Sequence, residues 1–432
     1  MNVVCLVIDR LQAGYVGAYG NTWIETPNLD RLACQSFLLE HALIDSPDLE
    51  RLYRSYWQGW HALCPAPPPE TRPSLPALLR EAGATTVLLS DEPLLARHPG
   101  AEDFDELIEI DPPWQPETAR RIDQTQFSRC FERAIDRLAS LRGPFMLWCH
   151  LGGLGTTWDA PLEFRQAYRE PGDPPPPEGA EVHERTLPPD CDPDELLGIS
   201  QSYAGQVSLL DACLGAFLDL FDGLPDAGET LLTVTSSRGF PLGEHRRVGP
   251  CDDSLFGELV HVPWMIRFPD AAGAGKGVRN RLCKAPSGPF RQTVPDTFSG
   301  AAARSQALVE PADLWATLLD WWELDDVPDS PSAESILRLV RRENGPFRDR
   351  LCIAGRDGGR AIRTPAWFFL AGDPPKLFAK PDDRWEVNDV TSLCPEVTEC
   401  LRDALAQYEQ TLSAGRIADL PALSDILVNG LE

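Results

Sequence analysis

The 432-residue chain has little positive charge. It contains 39 Lys and Arg residues against 66 Asp and Glu residues, which gives a formal net charge of -27 at pH 7. Proteins that grip nucleic-acid phosphates need a broad basic face, so we expect no nucleic-acid partner. The apolar fraction of 43% is still large enough for a substantial core. We therefore interpret the acidity as solvated surface rather than disorder.

The chain also lacks Cys-x-x-Cys pairs and a long apolar run near its first residue. Its twelve cysteines are scattered, with neither zinc-site nor redox spacing, which favours a reducing compartment. The first apolar run ends at Ile8, far short of the roughly 18 residues that span a bilayer, and no basic segment precedes it. We expect a cytoplasmic protein with no membrane segment. A protein partner and an oligomeric state are not predicted.

Aliphatic runs alternating with helical periodicity predict the fold. Runs that suit strands buried on both faces of a parallel sheet cover residues 3–8, 85–89, 144–150, 230–235 and 260–268. Helices are predicted at 123–141, 194–222 and 314–322. This alternation predicts a three-layer α/β/α fold with a mainly parallel central sheet.

After about residue 345 the pattern changes to short strands, at 363–370 and 376–378, followed by a helix at 395–415. We therefore predict two domains. Residues 1–344 would form the α/β domain, and residues 345–432 a small C-terminal antiparallel α+β subdomain.

Three segments of unusual composition are interpreted as surface. The proline-rich stretch 171–189 is expected to be irregular, and the acidic stretch 102–109 to be solvated. Residues 273–277 resemble a phosphate-binding loop but lack its first glycine and the Ser or Thr after Lys276. That segment is interpreted as a surface turn.

Five segments in the same order carry a resemblance to a known family. The first contains Asp9 and Arg10 directly after a predicted strand, and then the helix start at Thr26-Pro27-Asn28. The other four segments are residues 144–161, 203–245, 255–263 and 361–365. Together they resemble the sulfatases of the alkaline phosphatase superfamily, which implies sulfuric ester hydrolysis on an α/β fold.

The resemblance implies a divalent cation, usually calcium, held by hard oxygen ligands. These ligands are adjacent carboxylates after the first strand and an Asp with an Asn or His in a metal loop. The family nucleophile is a formylglycine made from the Cys or Ser of a Cys-x-Pro-x-Arg signature. Lys, Arg and His side chains polarise the sulfate and protonate the leaving oxygen.

The metal positions depart from this pattern. Asp9 is present but is followed by Arg10, and Ser237-Arg238-Gly239 stands where the family has Asp-His-Gly or Asp-Asn-Gly. Two arginines and one aspartate suit a salt bridge or an anion pocket rather than a calcium site. We predict a pocket of Asp9, Arg10, Ser237 and Arg238 whose partner is a small anionic ligand. No cofactor is expected. Calcium would bind only if the family metal site is partly retained through Asp9.

The nucleophile region departs as well. Aligning Gly59 with the glycine that ends the family's helix places the nucleophile near Asp48 or Leu49, with no Cys and no Pro-x-Arg after it. Formylglycine is therefore not expected. Asp48 is interpreted either as a carboxylate nucleophile or, preferably, as a helix N-cap. The family's substrate-facing His falls near Gly155 and its Lys at Pro250.

Other site residues keep two interpretations. Asp9 is a metal ligand or, preferably, a salt-bridge partner of Arg10 or Arg238 or a cap of the next helix. His150 is a general acid or, preferably, a hydrogen-bonded interior residue, and His245 is interpreted as a loop residue.

Three hypotheses of function follow. In the first, a sulfatase-family protein has lost hydrolysis and acts by binding or interaction. In the second, a working hydrolase of sulfate or phosphate esters uses a rebuilt site with Asp9, Arg10, Arg238 and Asp48. The third and weakest is a subunit that pairs with an active relative.

Overall fold

The computed structural model describes residues 1–65, 73–111, 116–269, 303–324, 326–343, 347–414, 417 and 420–431. The strands are β1 Asn2–Ile8, β2 Phe37–Leu43, β3 Thr85–Ser90, β4 Glu106–Glu109, β5 Phe145–Leu151, β6 Arg185–Thr186, β7 Thr230–Thr235, β8 Arg247–Val248, β9 His261–Arg267, β10 Ala303–Val309, β11 Leu351–Ala354, β12 Arg360–Arg363, β13 Trp367–Ala371 and β14 Lys376–Ala379. The helices are α1 Pro27–Ala33, α2 Leu49–Gln58, α3 Leu75–Glu81, α4 Pro93–Ala96, α5 Gln126–Ser140, α6 Gly153–Thr156, α7 Leu162–Gln166, α8 Pro193–Asp222, α9 Gly257–Val260, α10 Pro311–Trp322, α11 Leu337–Val340, α12 Pro395–Ala414 and α13 Asp425–Asn429. Residues 273–277 lie outside the described residues.

A large, mainly parallel sheet confirms the predicted α/β fold class. Its strand order is β10-β2-β9-β7-β1-β5-β3-β4. The central strand β1 pairs in parallel with β5 on one side and β7 on the other. All seven β1 residues are buried, which explains why this strand is a continuous apolar run in the sequence. Strand β9 is antiparallel to β7, so the sheet is mixed at that point.

Three strands of this sheet, β2, β4 and β10, were not predicted. The residues of β2 and β10 mix buried and more exposed positions, and none of the four residues of β4 is buried, so these strands do not form buried apolar runs. Strand β4 lies within the acidic stretch that we interpreted as solvated surface, and it pairs in parallel with β3. A half-exposed edge strand can carry glutamates on its open positions, which hides it from an apolar-run criterion.

The small antiparallel sheet after residue 345 is also confirmed. Strands β11 to β14 pair sequentially in antiparallel register. Helix α12 covers the predicted final helix, and the short α13 was missed. The domain boundary at residue 345 remains a prediction.

Two compact units divide the chain. The first unit comprises residues 1–40, 79–251 and 262–304, and the second comprises 41–78, 252–261 and 305–432. In the first unit, β1, β5 and β7 share a core with α5 and α8, through residues such as Leu6, Phe131 and Leu214. In the second unit, α12 packs its apolar side on the antiparallel sheet, through residues such as Leu401 and Phe369.

Helix α8 is the one helix in the described parts of the chain that is long and apolar enough, by length and composition, to cross a membrane. Most of its apolar window, 72%, is buried inside the structure. Core helices have the same property, so packing within the first unit accounts for its apolar character.

Candidate functional site

Asp9 lies at the carboxyl end of the central strand of the first unit. Its backbone N–H donates to Leu151 O at 2.9 Å, which continues the pairing of β1 with β5. In the parallel pairing of β1 with β7, Val7 stands opposite Thr235. Residues that follow these strands therefore meet at one edge of the sheet, where open α/β folds bind ligands. This register brings Asp9 beside Ser237 and Arg238.

The Asp9 carboxylate is held by hydrogen bonds on both oxygens. Ser237 Oγ donates to Asp9 Oδ1 at 2.6 Å, and Arg238 Nε donates to the same oxygen at 2.9 Å. Arg238 Nη2 donates to Asp9 Oδ2 at 2.6 Å, so the guanidinium is bidentate. Asp9 is 3% exposed and Arg238 8%. Burial by itself raises the pKa of Asp9, but Arg238 and then Arg10 outweigh it and hold the pKa well below its usual range.

Arg10 is a second arginine beside the Asp9 carboxylate. Its Nε lies 3.8 Å from Asp9 Oδ2, and its backbone has a left-handed φ of 69°. Tyr203 donates its hydroxyl to Arg10 O at 2.7 Å and so fixes this turn. A β-carbon added at Gly155 would lie 2.9 Å from Arg10 Cγ. The Arg10 side chain therefore fills space that a histidine at position 155 would need, so two departures from the family pattern fit each other.

His150 and Glu244 lie in the first unit. Burial in a strand accounts for the position of His150, and hydrogen bonds within the fold account for that of Glu244. His150 is in β5, opposite Val7, and is fully buried. Burial lowers the pKa of His150 to about 4; Asp9 opposes this shift and Arg238 adds to it. The ring is therefore neutral at pH 7 and cannot act as an imidazolium acid there. Glu244 accepts from Tyr15 Oη at 2.7 Å and from Leu242 N at 2.5 Å, and His245 follows it in the same loop.

A calcium ion does not fit these residues. Calcium takes six to eight oxygen ligands, and the site offers one carboxylate whose two oxygens already accept from Arg238 and Ser237. Within the described ranges, no group of three or more His, Cys, Asp or Glu side chains could hold a metal ion. The guanidinium of Arg238 supplies the positive charge beside Asp9.

Asp48 and Leu49 belong to the second unit. Asp48 precedes α2, and its Oδ1 accepts from Arg51 N at 3.1 Å, which is an N-cap contact. Leu49 is a buried first residue of α2. The contact accords with the N-cap interpretation of Asp48, and the nucleophile position stays a prediction.

A buried polar cluster in the second unit was missed by sequence reasoning. Asp45 Oδ2 accepts from Ala62 N at 2.8 Å and from the Ser55 hydroxyl. Burial raises the pKa of Asp45 to about 6, partly offset by His61. His61 Nδ1 accepts from Leu63 N at 3.0 Å, so its proton sits on Nε2, which donates to Cys352 O at 3.1 Å. Burial lowers the pKa of His61 and Arg348 adds to the shift, whereas Asp45 and the hydrogen bond to Cys352 O oppose it.

The same cluster contains a buried ion pair. Arg348 donates to both oxygens of Asp313, at 2.6 and 2.9 Å, and its Nη1 lies 3.7 Å from Glu310 Oε2. His61 Nε2 lies 3.6 Å from that same oxygen of Glu310. The cluster joins residues 45–63 to residues 310–352, so no local spacing reveals it. The one local signal is the Glu-Pro-x-Asp sequence at 310–313, which forms a helix-capping box.

Comparisons with known proteins agree with this fold. A sequence profile of the sulfatase family matches residues 1–324. Human iduronate 2-sulfatase is 24% identical over 344 residues, covering 62% of this chain and 60% of the human protein. The chain thus spans less than two thirds of that relative.

Solved structures show the same fold along almost the whole chain. The phosphonate monoester hydrolase of Agrobacterium radiobacter superposes with a TM-score of 0.73 at 16% identity, covering 95% of this chain and 96% of that one. A protein solved in complex with its substrate D-glucosamine-2-N,6-O-disulfate gives a TM-score of 0.69 at 16% identity, with 95% and 98% covered. Since the family profile matches about three quarters of the sequence, the chain belongs to the sulfatase family.

Proposed function

We propose that this sulfatase-family protein does not hydrolyse sulfate esters and acts by binding a ligand or partner. The observation that carries the proposal is the buried, bidentate ion pair between Arg238 and Asp9. In the family pattern the Asp9 carboxylate is a ligand of the cation, and here Arg238 occupies it.

Admitting a cation at Asp9 would be costly. Arg238 would have to leave the carboxylate, and a buried charge without its partner costs several kcal/mol. The incoming cation would then face Arg10, which stands 3.8 Å from Asp9 Oδ2, and repulsion between like charges grows steeply at low dielectric. Both arginines therefore oppose metal binding.

The sequence also lacks the residues that carry out sulfate-ester hydrolysis in the family. Residues 44–59 contain neither the Cys nor the Pro-x-Arg of the formylglycine signature, and Gly155 and Pro250 stand at the family's His and Lys positions. One missing group can be replaced by a neighbour, whereas the joint loss of nucleophile, metal ligand, Lys and His removes each step of hydrolysis.

A second candidate function is hydrolysis of sulfate or phosphate esters by a rebuilt site at Asp9. The family profile over residues 1–324 and the likeness to a phosphonate monoester hydrolase favour it. In this alternative Arg10 and Arg238 would bind the ester anion, which requires that they turn away from Asp9.

Turnover measurements decide between the two. The full chain is assayed on aryl sulfate, aryl phosphate and phosphonate monoesters, beside Asp9→Asn and a control, Asp123→Asn, at an exposed carboxylate. If the protein acts by binding, we expect all three proteins to hydrolyse these esters at the same background rate. Turnover by the unmodified chain and the control that is lost in Asp9→Asn would overturn the proposal and establish the hydrolase.

A further inference from the structure

A cavity of about 500 Å³ lies within the second unit, on the outer face of α2. Its lining includes Arg51 and Arg54 from α2, Arg360 from the start of β12, and residues 62–65. Asp48 and Glu50 complete its acidic side. None of the four residues of the Asp9 pocket lines it.

The two helix arginines face the cavity because of their spacing. Arg51 and Arg54 are three residues apart and therefore share one face of α2. The opposite face of α2 is apolar and buried through Leu52, Tyr53 and Tyr56. The buried face holds the helix in the second unit, so the arginines lie on a fixed support.

Arg54 has unsatisfied hydrogen-bonding groups. Its Nε and Nη1 atoms are buried, and neither has a hydrogen-bond partner within the described ranges. Buried donors without a partner are rare in folded proteins, and a charged donor costs most. These two donors are therefore unsatisfied in a side chain that lines the cavity.

Arg360 is positioned for a ligand by its own contacts. Its Nε pairs with Glu409 Oε1 at 2.5 Å, and its Nη1 donates to Gly359 O at 2.9 Å. These contacts fix the orientation of the guanidinium. Asp48 caps α2 through its contact with Arg51 N, so one of the two lining carboxylates already has a structural use.

We propose that this cavity binds a small molecule through a sulfate or phosphate group held by Arg51, Arg54 and Arg360. Guanidinium groups match these anions with paired hydrogen bonds, and three of them around one cavity suit a tetrahedral anion better than a two-oxygen carboxylate. The cavity volume falls in the range of small-molecule sites, so it has room for a group attached to the anion. Its three arginines do not belong to the Asp9 pocket, so binding to them can be tested without assuming that Asp9 takes part in hydrolysis.

The test measures binding by the full chain in equilibrium dialysis with radiolabelled sulfate and, separately, phosphate. Sodium chloride keeps the ionic strength constant, because exposed arginines attract any anion weakly. The variant is Arg51→Gln/Arg54→Gln, and the matched control is Arg129→Gln/Arg133→Gln, which removes two exposed arginines from α5.

We expect the unmodified chain and the control to bind one ion with equal affinity, and the cavity variant to bind at least ten-fold more weakly. The two labelled ions show which group the cavity prefers. Equal binding by all three proteins, or no binding by the unmodified chain, would overturn the proposal. Arg360→Gln gives a second, single-residue test, with an expected loss of at least three-fold, if the double variant fails to fold.

Discussion

Replacing Arg238 with methionine tests the ion pair on which the functional proposal rests. The substitution keeps much of the side-chain volume but leaves the Asp9 carboxylate buried without its two Arg238 hydrogen bonds. Losing one partner of a buried ion pair typically costs about 3–5 kcal/mol. The Ser237 hydrogen bond and the neighbouring Arg10 remain, so we expect a loss near the lower limit, about 3 kcal/mol in the free energy of unfolding.

The assay is urea unfolding followed by tryptophan fluorescence, since Trp148 and Trp158 are buried in the first unit. A double variant, Asp9→Asn/Arg238→Met, removes both charges and should recover most of the loss, because the uncompensated carboxylate is gone. A loss below about 1 kcal/mol for Arg238→Met would show that the ion pair does not stabilise the fold as described. A loss for the double variant equal to the sum of the losses of Asp9→Asn and Arg238→Met would show the same.

Two further predictions concern the second unit. Because the folded-state pKa of Asp45 is raised to about 6, its contribution to stability is fully present below about pH 4 and is lost as the pH rises through 6. Relative to the unmodified chain, Asp45→Asn should therefore gain about 2 kcal/mol in the free energy of unfolding between pH 4 and pH 7, measured by urea unfolding, and a pH-independent difference would contradict the shift. Gly59 ends α2 with a φ of 60°, and a β-carbon there would lie 2.5 Å from the Trp315 ring. Gly59→Ala should cost about 2–4 kcal/mol in thermal unfolding, whereas Gly83→Ala, with a φ of 84° and open space, should cost only about 1 kcal/mol; equal losses would show that the ring contact is unimportant.

The sequence predicted those elements whose signal is local. Strands β1, β3, β5 and β7 are continuous apolar runs because both their faces are covered, and α8 has a long apolar pattern. Strand β9 was predicted one residue early, since Val260 ends a short helical turn. The edge strands carry mixed sequences, so only pairing with a neighbour identifies them.

The site was predictable as a set of positions, because the family pattern aligns Asp9 with Arg238. The geometry was not predictable in that way. Arg238, rather than Arg10, makes the bidentate contact. This choice depends on the register of β1 with β7 and on the turn held by Tyr203. The arginine cavity had a signal in the spacing of Arg51 and Arg54, but Arg360 joins it only through the fold.

A calcium titration of the full chain tests the central claim most directly, because the ion pair and the cation compete for the same Asp9 carboxylate. Isothermal calorimetry with calcium chloride, on metal-free protein, compares the unmodified chain with Asp9→Asn. We expect no stoichiometric calcium binding to either protein. One calcium ion bound tightly per unmodified chain, and lost in Asp9→Asn, would show that calcium displaces Arg238 and would contradict the proposed function.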